Sequence, residues 1–405
     1  MAESSYKYII VGAGLAGASA VEGIREKDTT GSILLVGTED ALPYNRPPLT
    51  KGLWSGDEKV EDVFIHDEAF FKDHGVEVLR SSPVERIDPA GKSIQLAAGA
   101  SYSYGSLLLA TGGAPRRLNI TGANARGIFY YRTLADYEAI RAEATEGKTA
   151  VVIGGGFIGS EIAAALTNAG VQVTIVFPDP YLVQRVFPKD LGRAITKVYE
   201  EKGVTVITDD SPASIERQGN GFLTGTNGGR WLESDILVVG IGIVPGTELA
   251  EAAGLDVENG ITVNERLQTS DPNIYAAGDN ANFPYAALRK RMRVEHWDNA
   301  LNQGKQAGRN MAGAREPYAY MPFFFSDLFE FGYEAVGEVD SRLNTFADWQ
   351  EEFKTGVVYY LKDHRVRGAM MCNVWDKVDD ARALIRADKP VTPDDLRGRI
   401  TADEE

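Results

Sequence analysis

Short apolar runs closed by glycine punctuate this chain, and two of them open the same pattern. Tyr8-Ile9-Ile10-Val11 leads into Gly12-Ala13-Gly14-Leu15-Ala16-Gly17 and then a helical pattern. Ala150-Val151-Val152-Ile153 leads into Gly154-Gly155-Gly156-Phe157-Ile158-Gly159 and a second helical pattern, 142 residues further on. An unbroken apolar run predicts a strand covered on both faces, as in a parallel sheet. Further strands are predicted at 32–36, 76–79, 84–87, 93–96 and 107–110, then at 173–176, 204–207, 235–239 and 273–277. Helices are predicted near 189–202 and 295–311, with a connector and helix across 117–147. From about residue 322 the texture changes. Aromatics cluster at Phe323-Phe324-Phe325, strands alternate at 356–361 and 366–371, and a helix covers 376–387. The tail from Val391 reads as charged and loose.

Strand, tight glycine turn and helix, in that order, form the context in which a Gly-x-Gly-x-x-Gly signature binds a dinucleotide. The first glycine makes the turn, the second admits the pyrophosphate, and the third packs helix on strand. The helix N-terminus then offers free N–H groups and a positive dipole end. Two such units predict two dinucleotides, FAD on the first signature and NAD(P) on the second, with hydride passing between them. Glu39 follows the second strand of the first unit and is placed to accept from ribose hydroxyls. Asp179 occupies the equivalent place in the second unit, 20 residues after Gly159. A carboxylate there favours NADH over NADPH. NADPH stays open, because Phe177-Pro178 displaces the acid and Arg185 lies nearby. For both acids the plain alternative is a strand end in solvent.

Composition narrows the class. The 405 residues suggest two or three domains, and 43% apolar with 25% charged residues is an ordinary globular mixture. The net charge of -16 argues against nucleic acid as a partner. No apolar stretch reaches 18 residues, so no membrane span is expected. The first strand starts by about Lys7, and the reading is cytoplasmic, or a mature chain already processed. Cys372 is the single cysteine, which rules out an active-site disulfide within one chain. In Met370-Met371-Cys372-Asn373 it reads as a small buried hydrophobe. No Cys or His cluster suggests a metal.

The chain resembles the apoptosis-inducing factor and oxygenase-coupled ferredoxin reductase group of FAD-dependent pyridine-nucleotide oxidoreductases, nearly end to end. The resemblance is carried by VGAGLAG, LPYNRPPLTKGLW, LLLATGG, VVIGGGFIGSE, VGIGIVPGTEL, IYAAGDNANF, RVEHWDNALNQG, FFFSDLFEFGYEAVG and GVVYYLKD. It implies an α/β, glutathione-reductase-like fold: two doubly wound nucleotide-binding domains plus a C-terminal α+β domain. On that plan an FAD domain (1–116 and 246–320) is split around an NAD(P) domain (117–245), with the C-terminal domain at 321–405.

The same resemblance implies site residues. Lys51 and Glu161 form an ion pair beside the reactive nitrogen of the flavin, Glu161 being read as a first-turn residue of the second signature helix. Arg46 and Arg132 bind pyrophosphate or flavin. Thr111 and Gly112 approach FAD through backbone, and Asp279, after Gly278, accepts from the ribityl chain. Trp297 starts a helix aimed at the pyrimidine end of the flavin, next to Glu295 and His296, with Glu295 on the nicotinamide amide. Phe157 lies between flavin and nicotinamide, and Gly242 admits the nicotinamide ribose. Phe325 stands where many members carry tryptophan, so the aromatic wall is kept and its hydrogen bond is lost. The expected activity is NADH to flavin to an acceptor. A ferredoxin-type iron–sulfur protein is one acceptor, and the basic run Arg289-Lys290-Arg291 with Arg293 is either its docking patch or an ordinary solvated face. An NADH-responsive signalling protein, or a quinone or oxygen reductase, is the alternative. A homodimer stays open.

Overall fold

Each glycine signature lies at the end of the middle strand of a five-stranded parallel arrangement; counted from that strand the first four places follow the same order in both, and the fifth is filled by a strand late in the chain in the first and by one just before the signature in the second. In the first the strands run Val76–Leu79, Ile33–Val36, Ser4–Val11, Ser101–Leu109 and Ile274–Ala276. In the second they run Thr205–Ile207, Gln172–Val176, Thr149–Ile153, Ile236–Val239 and Ile128–Tyr130. The unbroken apolar runs explain the central places. Ile9 and Ile10, Leu107 to Leu109, and Val152 with Val238 are all fully buried. A strand with no polar face can sit only where helices or loops cover both sides.

The computed structural model describes residues 4–402 and divides into two compact units. One holds residues up to 45, 60–114 and 244–322; the other holds 46–59, 115–243 and the chain from 323 onward.

In the first unit, strands Val84–Asp88 and Ser93–Leu96 extend the sheet in antiparallel fashion. Helix Leu15–Arg25 packs on helix Trp297–Met311 almost backbone to backbone. A side chain on Gly304 would overlap the Ala16 carbonyl, and one on Gly308 the Ala20 carbonyl.

The second unit adds an antiparallel meander, Pro212–Gln218, Gly221–Thr226 and Trp231–Ser234. It also carries a five-stranded antiparallel sheet in the order Phe323–Leu328, Phe331–Gly337, Arg365–Cys372, Thr355–Lys362 and Asn344–Glu351. Helix Val378–Ala387 packs on the Phe331–Gly337 and Arg365–Cys372 strands. Cys372 is fully buried, and burial pushes its thiol far above the ordinary range. The tail differs from expectation. Thr392 and Asp395 form a capping box on a short helix, Pro393–Leu396, while Leu396 and Ile400 are buried. Charge dominated the composition of this segment, but two apolar anchors decide its packing. No helix among the described residues is long and apolar enough to cross a membrane.

Candidate active site

The two signatures have matching geometry. Gly12 and Gly154 both hold φ +116°, a region that side-chain-bearing residues rarely enter. Gly12 N donates to Val36 O at 2.8 Å, and Gly154 N to Val176 O at 2.9 Å. A Cβ on Gly12 would overlap the Ala110 carbonyl, and one on Gly154 the Gly240 carbonyl. Gly17 and Gly159 lie against the carbonyls of Gly12 and Gly154, which closes each helix onto its turn. Gly14 and Gly156 are the N-caps of helices Leu15–Arg25 and Phe157–Asn168. Neither helix has a side-chain cap or a first-turn acid, and a Cβ on either cap would meet nothing within 4 Å. Each turn therefore presents uncapped helical N–H groups, from Leu15 and Ala16 or from Phe157 and Ile158, to open space. That arrangement fits a pyrophosphate.

Around the first cradle, Tyr44 Oη donates to Glu39 Oε2 at 2.7 Å, fixing the half-buried carboxylate at the strand end. Thr111 Oγ1 donates to Gly246 O and accepts from Asn280 Nδ2 at 2.8 Å. Gly112 O accepts from Gly246 N at 2.9 Å. Gly278 N donates to Gln303 Oε1 at 2.8 Å. Asp279 is half-buried, and its carbonyl accepts from the Arg293 guanidinium at 2.9 Å. His296 is the N-cap of helix Trp297–Met311, and Trp297 Nε1 donates to Asn45 Oδ1 at 2.7 Å. Burial lowers the His296 imidazole from 6.5 to about 4, against the opposing pull of Asp279, so the ring is neutral near pH 7. Glu295 is exposed and paired with Arg293.

In the second unit Lys51 and Glu161, 110 residues apart in sequence, meet with Nζ 2.6 Å from Oε1. Their side chains are 16% and 8% exposed, too buried for either charge to stand alone. Thr50 Oγ1 donates to Glu161 Oε2 at 2.6 Å, and Ser326 Oγ to Oε1 at 2.6 Å. Asp327 Oδ2 lies 3.5 Å from Lys51 Nζ, and the Phe325 ring centroid lies 5.8 Å from it. Phe157 packs edge-on against Phe324, centroids 5.7 Å apart. Arg46 donates to the Arg132 carbonyl at 2.5 Å. The helix begins at Phe157, so Glu161 falls in its second turn; the dipole preference of a first-turn acid does not explain it. Asp179 and Arg185 are exposed and stand outside the Lys51 cluster, and Gly242, at φ +94°, is exposed as well.

Sequence reasoning missed Thr50, Ser326, Asp327 and Asn280. Thr50 and Ser326 each neighbour a residue that was singled out, but nothing in a one-dimensional pattern shows that two hydroxyls 276 positions apart converge on one carboxylate. Asn280 follows Asp279 directly, and its full burial, which marks it as a site residue, is visible only in the structure.

Residues 6–304 match the family model described as pyridine nucleotide-disulphide oxidoreductase. Residues 307–350 and 347–387 match the C-terminal region of mitochondrion-associated apoptosis-inducing factor. The chain is 33% identical to the ferredoxin–NAD(+) reductase component of an anthranilate 1,2-dioxygenase system from Burkholderia cepacia, covering 97% of both chains. It is also 33% identical to apoptosis-inducing factor 1, mitochondrial, from Dictyostelium discoideum, over 94% of this chain and 78% of that one. Among solved structures, putidaredoxin reductase in covalent complex with putidaredoxin superposes with a TM-score of 0.90 at 31% identity, covering 97% of this chain and 96% of that one.

Proposed function

The chain belongs to the pyridine nucleotide-disulphide oxidoreductase family, and on that premise we propose that it carries electrons from NADH through FAD to a ferredoxin-type iron–sulfur protein. The family uses FAD and a nicotinamide dinucleotide, and the chain is an FAD-dependent NAD(P)H oxidoreductase. The observation that carries the reading is the duplicated cradle, one uncapped helix end for each dinucleotide. FAD belongs on the cradle of Gly12, Gly14 and Gly17, with Glu39 on its ribose and Thr111, Gly112 and Asp279 nearby. The nicotinamide dinucleotide belongs on Gly154, Gly156 and Gly159. Asp179, at the end of its strand, favours NADH because a 2′-phosphate would meet a carboxylate.

Bound there, FAD would supply the chemistry that accepts a hydride and passes electrons on singly. The chain's own residues supply charge and position. The Lys51 ammonium, held by Glu161 away from bulk water, stabilises negative charge that builds up beside it. The start of helix Trp297–Met311, which lacks a side-chain cap bond, presents a second positive end in the first unit, offset in part by Asp298 in its first turn. Phe157, Phe324 and Phe325 are half-buried flat faces suited to ring contact. Arg289, Lys290 and Arg291 are exposed in an otherwise acidic protein, and Arg291 also donates to the carbonyls of Val263 and Asn282. Exposed positive charge of this kind raises the encounter rate with an acidic ferredoxin.

The test is Glu161→Ala. The variant is expected to purify yellow with FAD and to be reduced by NADH more slowly by roughly tenfold or more, a barrier raised by about 1.4 kcal/mol or more. Reduction at the wild-type rate, followed by stopped-flow bleaching, ends the Lys51–Glu161 assignment. The likeness to apoptosis-inducing factor 1 favours one second reading, an NADH-responsive protein whose reduced complex is itself the signal. A charge-transfer band that persists in air selects that reading, whereas rapid reoxidation by a small iron–sulfur protein selects the reductase.

A further inference from the structure

The Glu161 carboxylate accepts three hydrogen bonds, and Lys51 supplies one of them. Oε1 takes Lys51 Nζ and Ser326 Oγ, each at 2.6 Å, and Oε2 takes Thr50 Oγ1 at 2.6 Å. The two hydroxyls come from different parts of the fold. Thr50 ends the short 3-10 turn Pro47–Thr50 immediately before Lys51. Ser326 lies on strand Phe323–Leu328, where alternation turns Ser326 inward, 1% exposed, and leaves Asp327 outside. Tyr333, opposite Ser326 in the strand register, and Tyr199 are both buried. Their hydroxyls are raised first by burial and next by the Glu161 charge.

The geometry gives these hydroxyls a task. A carboxylate bound through one oxygen can rotate and exchange its oxygens, whereas one held through both oxygens cannot do so without breaking a charge-assisted bond. Lys51 also has a choice of anions, because Asp327 Oδ2 stands 3.5 Å from Nζ and is 48% exposed. We propose that Thr50 and Ser326 are positioning residues, which lock the Glu161 carboxylate so that the Lys51 ammonium stays on buried Oε1 instead of moving out to Asp327. The proposal rests on the Lys51–Glu161 role given above. Neither hydroxyl is assigned contact with a cofactor; both act through Glu161.

The experiment uses FAD-loaded Thr50→Val and Ser326→Ala, their conservative counterparts Thr50→Ser and Ser326→Thr, and the combination of Ser326→Ala with Glu161→Ala. Anaerobic stopped-flow separates the limiting rate of flavin reduction from half-saturation by NADH. The hydroxyl-deleting variants are expected to lose about tenfold in limiting rate with half-saturation unchanged within about twofold, the signature of an interaction that does not contribute to substrate binding. The conservative variants recover most of the rate. Adding Ser326→Ala to Glu161→Ala costs nothing further, because the hydroxyl has lost the group it acts on. A second readout needs no NADH: acylation of Lys51 by an amine-specific reagent, followed by peptide mass spectrometry, is expected to rise several-fold in Thr50→Val and Ser326→Ala. Wild-type rates with wild-type Lys51 labelling in both deletions overturn the proposal, and so do fully additive losses in the double variant. If Glu161→Ala itself is reduced at the wild-type rate, the catalytic role of the ion pair falls, while Lys51 labelling still decides whether the hydroxyls hold it.

Discussion

Single residues here are tuned by what surrounds them. His296 occupies the N-cap position of the helix that begins at Trp297, without a side-chain cap bond, and there the positive dipole end and burial both disfavour an imidazolium. Its value falls from 6.5 to about 4 even though the Asp279 carboxylate pulls the other way. The consequence for stability has a definite sign. Between pH 6.5 and about 4 the unfolded chain takes up a proton that the folded one refuses. This contribution is therefore fully present above pH 6.5 and is lost as pH falls through that window. Thermal unfolding of the FAD-loaded protein is expected to show Tm declining across it, and His296→Asn, which removes the titration and places a favoured N-cap residue there, should flatten the decline. An equally steep decline in the variant would show that other groups carry the effect. At this scale the sequence was informative where a residue's type is rare in its context, as with Lys51 in an apolar loop and the lone Cys372. It was silent on Thr50 and Ser326, since a hydroxyl in a chain of this size is ordinary until its partner is seen.

Secondary-structure elements were the most legible level. The two signature units could be recognised because an apolar run, three spaced glycines and a helical pattern agree with one another over some twenty residues, and each feature constrains the same turn. The strands at 76–79 and 93–96 and the helix ending at Met311 also lie where periodicity puts them. The tail misled because charge was counted and the spacing of Leu396 and Ile400 was not. The cradles make a paired prediction. Gly12→Ala and Gly154→Ala each force a Cβ into a carbonyl at φ +116°, a strain of more than about 1 kcal/mol. If the cradles are assigned correctly, the two substitutions differ in what they remove. Gly12→Ala should purify with little FAD. Gly154→Ala should keep its FAD and bind NADH at least about tenfold more weakly, equivalent to about 1.4 kcal/mol. Flavin content by absorbance and NADH affinity by titration separate them, and full FAD occupancy in Gly12→Ala would contradict the assignment.

The whole molecule joins two copies of one idea to a third element of different make. Each parallel sheet ends in a turn shaped for a pyrophosphate, and the antiparallel sheet contributes Phe325, Ser326 and Asp327 around the Lys51–Glu161 pair. Resemblance led only to the Lys51–Glu161 pair and to Phe325, while the approach of Ser326 and Asp327 was not legible, because the contacts span more than 100 residues and no local pattern encodes them. The formal charge of -16 means that an acidic partner must find a local positive surface, for which the exposed Arg289, Lys290 and Arg291 are candidates. The account depends most on two dinucleotides being held by one chain for electron transfer between them. The visible spectrum of the purified protein during anaerobic addition of NADH tests this most directly. A yellow protein whose flavin band bleaches stoichiometrically with NADH is the predicted result. A colourless preparation that FAD does not restore, or a yellow one that neither NADH nor NADPH bleaches, would contradict it.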